Sequence, residues 1–348
     1  MARRQGEAPA RYAVSIQDVA EAAQVSIATV SRVLNNPHLV AETTAQRVQE
    51  VITRLGYVPN AFAQGLIRRQ SRVLGIALPD IHGEFYSELL RGADQEARRR
   101  DYHLLASSEA RHGGSPAAGG GAFGLIDGLA LMLTEPDDRL WKEARSLQVP
   151  TVLIDAEVEA PEVDRILVDN AAGAHGATRH LLDATAGDRL YFVGGSRDNF
   201  DTRRRAEEFQ RTLRAAGVGA REDEAAFGEY SPDWGSDWAR RMAKDHRLAG
   251  SGVLAGNDDI ALGVMQAAQE LGLNVPRDLR IVGFDDTRLA SLVRPRLSTV
   301  RVPLVEVGAK AIQLLAERLD EPKRPAVTVH LPARLIIRES SVPNGNGH

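Results

Sequence analysis

The sequence predicts two architectures in one chain: a small all-α helix-turn-helix head, then an α/β core of two parallel-sheet subdomains. Three observations point there. The first sixty residues carry short apolar patterns at helical spacing, broken by tight turns. Beyond residue 72, strand-like apolar runs alternate with helical stretches. Charge divides along the same line: residues 1–72 hold nine arginines, no lysine and five acids, about +4, whereas the rest holds 34 basic and 42 acidic residues, about −8. A basic head on an acidic body suits a polyanion-binding module attached to something else; a chance excess of surface arginine is the simpler alternative.

A chain of 348 residues has room for two or three well-filled domains. It contains no cysteine, which excludes disulfides, thiolate zinc sites and a cysteine nucleophile. No apolar run approaches the ~20 residues of a membrane span, and the opening "MARRQGEAPARYAVS" lacks a signal-peptide core. A cytoplasmic protein without a membrane partner is expected.

In the head, Ser15 precedes the periodic set Ile16, Val19, Ala20 and Ala23 and can act as N-cap, with Asp18 in the first turn. Gln24-Val25 makes the break. Ser26 then caps a second helix whose inner face is read as Ile27 or Ala28 with Val30, Val33 and Leu34. A third helix runs from about Thr43 to Leu55, with Val48, Val51, Ile52 and Leu55 facing inward. Three short helices with a tight turn between the first two describe a helix-turn-helix. The second helix also carries Ser26, Thr29, Ser31, Arg32 and Asn35. Hydroxyls and an amide suit phosphate oxygens, and an arginine can bond guanine bidentately in a major groove. A solvated helix face with a stray arginine is the competing reading of the residue types alone. After Pro59, Asn60 can cap one more short helix over 61–67, or the segment is a polar linker weakened by Gly65.

In the body, "VLGIAL", "YHLLAS", "GLALML", "TVLID", "RLYFVGG", "GVLAG" and "RIVGFD" read as strands. Helices are expected near 84–100, 138–147, 170–182, 203–216 and 258–271. Two such groups, before and after about Asp169, imply two similar subdomains with a cleft between them. Ligands of open α/β sheets sit beyond the carboxyl ends of strands. Asp80, Asp155, Asn257 and Asp285 stand there, and Arg205 opens a helix after "FVGGSRDNFDT". Each alone reads as a cap or turn residue. Together, one arginine with several carboxylates and an amide suits a polyhydroxylated ligand.

Catalysis is not expected. "VGGSRDN" is not G-x-G-x-x-G, and neither a P-loop nor a G-x-S-x-G occurs. His175 and His180, the closest histidine pair, stand at i,i+5, a poor metal-ligand spacing on a helix. No metal or cofactor is anticipated. The stronger rival is a sugar-binding transport protein, against which the headpiece and the absent signal peptide both count.

The stretch "SIQDVAEAAQVSIATVSRVLNNPHLVAETTAQRVQEVITRLGYVPNAFAQGL" closely resembles the headpiece of the LacI/GalR family of bacterial transcriptional regulators, lactose-repressor-like proteins. DVA, VS-x-x-TVSRVLN, V-x-x-x-T-x-x-x-V, LGY-x-PN and A-x-x-L stand in the family order and spacing. By this resemblance Ile27, Ala28 and Arg32 take base-reading positions. Ile27 and Ala28 can touch a thymine methyl but cannot bond bidentately, so Arg32 carries most of the direct readout. Ser15, Ser26, Thr29, Ser31 and Asn35 take the other DNA-contact positions, mainly to phosphate. The resemblance makes 60–71 a hinge helix that folds on operator DNA, with Asn60 and Gln64 at the DNA and Leu66 levered into the minor groove.

The resemblance continues from Val73 to Ser341, "ND-x-x-ALG" and "VGFDD" being its most specific elements. It implies a type I periplasmic-binding-protein-like core. Phe85 or Tyr86, Asp155, Arg205, Tyr230, Asn257 and Asp285 then fall to the effector, with Tyr230 able to stack on a sugar face, and Asp80 joins them from its strand-end position. Two departures stand out. Val302 replaces a glutamine common in the family, and "SSEARHGGSPAAGGGAFGLIDG" replaces a charged helix with a stretch in which eight of 22 residues are glycine or proline.

The expected organisation is an arm over 1–14, a headpiece over 15–59, the hinge over 60–71, a core over 72–341 and a flexible tail over 342–348. The first core subdomain is expected over about 72–167 and 297–324, the second over about 168–293 and 327–340. The implied function is that of a nucleoid-associated repressor. A homodimer would read palindromic operator DNA under control of a small sugar-like effector. The ending "SSVPNGNGH" has no leucine-heptad tail, so dimers are expected rather than tail-linked tetramers.

Overall fold

A computed structural model of the chain describes residues 14–57, 71–108, 126–134, 139–156, 158, 160–185, 189–218 and 224–342. The expected arm, the hinge with Asn60, Gln64 and Leu66, most of the glycine-rich stretch and the tail beyond Val342 lie outside them. The chain divides into two units between Ser71 and Arg72.

The first unit holds α1 (Ile16–Ala22), α2 (Ile27–Asn35), a 3-10 turn (Pro37–Leu39) and α3 (Glu42–Leu55). Ser15 starts α1 with a reciprocal capping box: Asp18 N–H donates to Ser15 Oγ at 3.3 Å, and Ser15 N–H to Asp18 Oδ2 at 2.7 Å. The backbone N–H of Ser15, and after it the Ser15 hydroxyl, donate to the Asp18 carboxyl and hold it below its ordinary range. Gln24 turns the chain with φ 53°, and Ser26 Oγ then accepts Thr29 N–H at 3.1 Å to start α2. Gly56, at φ 65°, ends α3 in the left-handed region that costs glycine nothing. Val19, Ala20, Ala23, Val30, Val33, Val48, Val51 and Ile52 form the core, with Leu34 and Leu55 packed at its edge. The inner-face reading of α2 is corrected at its start: Ile27 is 45% exposed and Ala28 is exposed. The core's three-helix geometry reaches only Val30 and Val33 directly, one helical turn apart.

The second unit contains β1 (Val73–Leu78), α4 (Gly83–Arg99), β2 (His103–Ser108), β3 (Gly128–Met132), α5 (Arg139–Ser146), β4 (Thr151–Ile154) and β5 (Asp164–Val168). Then come α6 (Asn170–Thr185), β6 (Leu190–Gly194), α7 (Phe200–Ala215), β7 (Ala225–Phe227), α8 (Pro232–Lys244), β8 (Ser251–Ala255), α9 (Asp258–Glu270), β9 (Leu279–Asp285) and α10 (Arg288–Leu292). The chain closes with β10 (Ser298–Arg301), α11 (Leu304–Asp320), β11 (Thr328–Leu331) and β12 (Arg334–Ile336).

Two six-stranded sheets result, ordered β11-β5-β4-β3-β1-β2 and β12-β10-β9-β8-β6-β7. Their strands pair in parallel except β12, which runs antiparallel along β10. The interior strands β1 and β8 are buried along their whole length, as parallel strands covered on two faces must be. The strand order reverses at β1 in one sheet and β6 in the other, which opens a crevice at the carboxyl ends of β1 and β3 and of β6 and β8.

The expected subdomain limits need two corrections near the C-terminus. Ser298–Arg301, assigned to the first subdomain, pairs with β9 in the second sheet. Thr328–Leu331, assigned to the second, pairs with β5 in the first. The chain therefore crosses between subdomains three times, at Asp169, at Val302-Pro303 and between β11 and β12. Each subdomain is clasped by one tight helix pair. A Cβ on Gly92 or Gly308 would stand 1.9 Å from a carbonyl oxygen across the α4/α11 contact, and one on Gly263 equally close to Pro232 O across α8/α9.

Candidate DNA-reading helix and ligand cleft

On α2, burial and exposure fall on opposite sides. Val30 and Val33 are buried, while Ser26, Ile27, Ala28 and Arg32 are exposed. Arg32 has no ion-pair partner among the described residues, so its guanidinium fork is open. The polar neighbours are partly engaged within the helix. Ser26 Oγ lies 2.9 Å from Thr29 Oγ1, and Asn35 Nδ2 donates to Ser31 O at 2.9 Å. Ser15 Oγ donates to Asp18 at 2.8 Å, which ties its hydroxyl to the cap.

In the core, a buried polar cluster forms where Asp169 carries the chain from one subdomain to the other. Asp155, at the end of β4, accepts Val168 N–H at 3.2 Å and the Asn170 amide at 3.1 Å. The same Asn170 Nδ2 donates to Asp201 at 2.9 Å, and its Oδ1 accepts Arg205 Nε–H at 2.8 Å. Arg205 Nη1 reaches the Gly256 carbonyl at 2.6 Å, and the guanidinium lies 3.7 Å from the Phe284 ring centroid. Burial, with Asp201 nearby, pushes the Asp155 carboxyl well above the usual range. Asp155 and Arg205, both singled out from the sequence, are thus joined through Asn170, which was not.

Tyr230 belongs to the neighbouring wall. Its hydroxyl lies 2.6 Å from Thr202 Oγ1 and donates to Asn199 at 3.3 Å. Its ring packs on Gly195, where a Cβ would stand 2.4 Å from the ring. Burial raises the Tyr230 phenol, so it stays protonated. Asn257 caps α9 through Ile260 N–H at 2.9 Å. Asp80 is exposed and accepts Ile81 and His82 N–H at 2.6 and 3.0 Å, shaping the turn before α4. For these two the turn-residue reading describes what the side chains do. Phe85 and Tyr86 meet edge to face at 5.0 Å, half-buried.

Asp285 ends β9 at φ 109°, a conformation held against strain. It is 6% exposed, its buried Oδ1 has no hydrogen-bond partner among the described residues, and burial pushes its carboxyl well above the usual range. It lines a cavity of about 420 Å³ with Glu84, Arg301, Val302, Leu304 and Glu306. Val302, the departure from the family pattern, is buried there and donates its N–H to Asp285 O at 3.3 Å. The remaining effector candidates do not line this cavity.

Sequence reasoning also passed over Asp258. Its carboxylate accepts Thr299 Oγ1–H at 2.6 Å, Thr287 N–H at 2.7 Å and Thr287 Oγ1–H at 3.0 Å, and burial raises it to about 7. Signals existed for two of the missed residues: Asn170 follows a strand end, and Asp201 stands four before Arg205 on one helix. The two histidines are structural: His175 contacts Thr212 and Glu208, and His180 contacts Ser341 at 2.6 Å. Among the described residues no cluster of three metal-ligating side chains occurs, and no helix is long and apolar enough to cross a membrane.

An open-faced recognition helix in one unit and a two-sheet core with a polar inter-subdomain cluster in the other define a DNA-binding regulator with a ligand-binding core. Residues 15–60 match the family of bacterial regulatory proteins, lacI family, and residues 178–341 match the periplasmic binding protein-like domain. The chain is 32% identical over 330 residues to catabolite control protein A of Priestia megaterium, covering 94% of this chain and 99% of that one. It is 31% identical over 334 residues to the ribose operon repressor of Escherichia coli K12, with 94% and 99% covered. Among solved structures, the lac repressor dimer bound to operator and the anti-inducer ONPF superposes with TM-score 0.81 at 25% identity, covering 95% of this chain and 100% of that one. The complex of the regulator CelR with cellobiose gives 0.70 at 26% identity, covering 94% and 99%. The chain belongs to the lacI family of bacterial regulatory proteins and is a DNA-binding transcriptional regulator, not an enzyme.

Proposed function

We infer that the protein is a repressor acting at the nucleoid in the cytoplasm. Its symmetric dimer reads a palindromic operator, and a small sugar or sugar derivative held between the core subdomains tunes that binding. The carrying observation is α2, buried through Val30 and Val33 and exposed through Ile27, Ala28 and Arg32. In this reading Arg32 bonds a guanine edge, Ile27 and Ala28 meet a thymine methyl, and Ser15, Ser26, Thr29, Ser31 and Asn35 serve the backbone. Asn60, Gln64 and Leu66 form the hinge contact. On the effector side Arg205 and Asp155 are joined through Asn170, and Asp285 and Tyr230 are assigned to the effector with them. Asp80, Phe85, Tyr86 and Asn257 are assigned to the effector as well. Support for operator, dimer and sugar comes from the names of the relatives: one solved neighbour is a dimer on operator, another holds cellobiose, and a third relative represses a ribose operon.

The test is footprinting of the full chain on the DNA upstream of its own gene, beside a thermal-shift screen of sugars and nucleosides. A protected palindrome whose occupancy changes with the same sugar that raises the melting temperature is the expected result. Protection without two-fold symmetry, or a footprint that no melting-active sugar alters, contradicts it.

A further inference from the structure

Phe200 opens α7 in the second subdomain, yet its ring is packed into the first. It is 2% exposed and clusters with Val73, Ala77, Leu131, Leu133, Ala144 and Leu153. Every other buried member of that cluster belongs to the first subdomain. The backbone follows the ring: Phe200 N–H donates to Thr134 O at 3.1 Å, just beyond β3. The preceding residue, Asn199, caps α7 by accepting Thr202 N–H at 2.9 Å and also accepts the Tyr230 hydroxyl at 3.3 Å. An apolar plug in the first subdomain is thus tied to a helix cap and a wall of the second.

A second contact joins different elements of the same two subdomains. Glu84, in the first turn of α4, accepts Arg288 N–H at 2.6 Å across 204 residues of sequence. That N–H opens α10, whose N-cap Thr287 makes no side-chain cap bond; its hydroxyl donates to Asp258 at 3.0 Å instead. A carboxylate from the first subdomain supplies the acceptor that the cap lacks. Neither contact survives if one subdomain swings away from the other. Parting them exposes a phenyl ring and frees two backbone N–H groups.

We propose that Phe200 and Glu84 are paired latches that shut the crevice before any ligand arrives, and that they release together to admit one. Phe200 holds by apolar burial and Glu84 by capping α10 across the gap. Each subdomain is a packed sheet that moves as a unit, so one opening breaks both contacts. Loosening either latch therefore raises the open population that the other samples, and by linkage the effect is mutual. Both residues act on access to the crevice, whatever the chemistry of the ligand, and the test below needs no ligand.

Amide hydrogen exchange on the full, ligand-free chain reads both latches at their own donors, the N–H groups of Phe200 and Arg288. In wild type the two amides should exchange through one opening, at least about tenfold more often than the interior strands β1 and β8 open by unfolding. Glu84→Ala should speed the Phe200 amide at least about threefold, the loss of one hydrogen bond. Phe200→Ala should speed the Arg288 amide at least about tenfold, the loss of a buried ring. Phe200→Leu, which keeps an apolar plug, and Glu84→Gln, which keeps an acceptor, should each give a smaller acceleration at the other latch. If Phe200→Ala does not melt cooperatively, Phe200→Leu and Glu84→Ala decide alone. An unchanged rate at the other latch in these variants overturns the proposal, since the contacts then break independently. Latch amides that exchange no faster than β1 and β8 also overturn it, because the subdomains then part only when the chain unfolds.

Discussion

Asn170 Oδ1 accepts Arg205 Nε–H at 2.8 Å, while the same amide's Nδ2 donates to Asp155 at 3.1 Å and Asp201 at 2.9 Å. A side-chain amide presents an acceptor and two donors from one planar group, so it can bind a guanidinium on one side and carboxylates on the other. Placed one residue after the Asp169 crossover, it couples the tip of β4 in the first subdomain to α7 in the second. Asn170 and Arg205 both belong to the second subdomain, so movement of one subdomain against the other bears on the Asn170–Asp155 bond, and the proposed effector residues Asp155 and Arg205 sit at the two ends.

Asn170→Ala should therefore cost more than a surface substitution, about 1–3 kcal/mol, because it strands a buried Arg205 N–H and a buried Asp155 oxygen. Urea unfolding measures the loss. In a double variant with Arg205→Ala the costs should be less than additive, since each change already removes the shared bond. Full additivity would separate the two residues.

Arg32→Ala should abolish preference for operator over scrambled DNA and leave weak, salt-dependent binding. One bidentate base contact is worth ~1–3 kcal/mol per half-site. Binding titrations on both DNAs decide it; an unchanged ratio would falsify the assignment of Arg32 to base readout.

Leu66→Ala should weaken operator binding and reduce DNA bending while sparing non-specific binding, if the side chain enters the minor groove and offsets unstacking of about a few kcal/mol. The operator centre should then be a readily deformed pyrimidine–purine step. Gel mobility of circularly permuted fragments measures the bend. A straight operator bound equally by wild type and Leu66→Ala reduces the hinge to a linker.

Asp258 should make core stability depend on pH. Its carboxyl is raised by burial to about 7 from an ordinary 3.8, so the folded state holds a proton that the unfolded chain has released. The contribution is fully present below pH ~4 and is lost as pH rises through ~7, with a slope of at most about 1.4 kcal/mol per pH unit. Asp258→Asn can keep its carbonyl toward Thr287 and turn its amide to Thr299 Oγ1. Urea unfolding at pH 5 and pH 7.5 should show a smaller drop for this variant than for wild type. Parallel drops would remove Asp258 as the titrating group.

Gly308→Ala should loosen the first subdomain, since its Cβ would stand 1.9 Å from Leu89 O, a backbone atom without a rotamer to escape into. Parting α4 and α11 should cost about 1–3 kcal/mol or more. Gly176→Ala, on a helix where nothing lies within 4 Å of the new Cβ, is the control and should be neutral or slightly stabilising. Melting temperatures compare them.

The headpiece was legible because its instructions are local. Ser15 with Asp18 and Ser26 with Thr29 are caps three residues apart, and Val19, Val30, Val48 and Ile52 repeat at helical spacing. Only the placement of Ile27 and Ala28 escaped, because helical spacing leaves the first turn of α2 open to either face and tertiary packing chose solvent. Strand and helix alternation in the core was equally local, and Asp80 and Asn257 took the turn and cap roles that their residue types favour.

What tertiary structure alone decided is which distant pieces meet. Ser298–Arg301 and Thr328–Leu331 are four-residue strands whose sequence does not encode a sheet; pairing assigns them, the first with Val282 on the preceding strand and the second with Arg165, far back in the chain. Asn170, Asp201 and Asp258 read as ordinary helix-start residues until Arg205 and Thr299 arrive 35 and 41 positions later. Capping and periodicity act over one or two turns, so the sequence shows them directly. Burial of a polar group, and the ligand chemistry that follows from it, depends on what long-range packing brings against it.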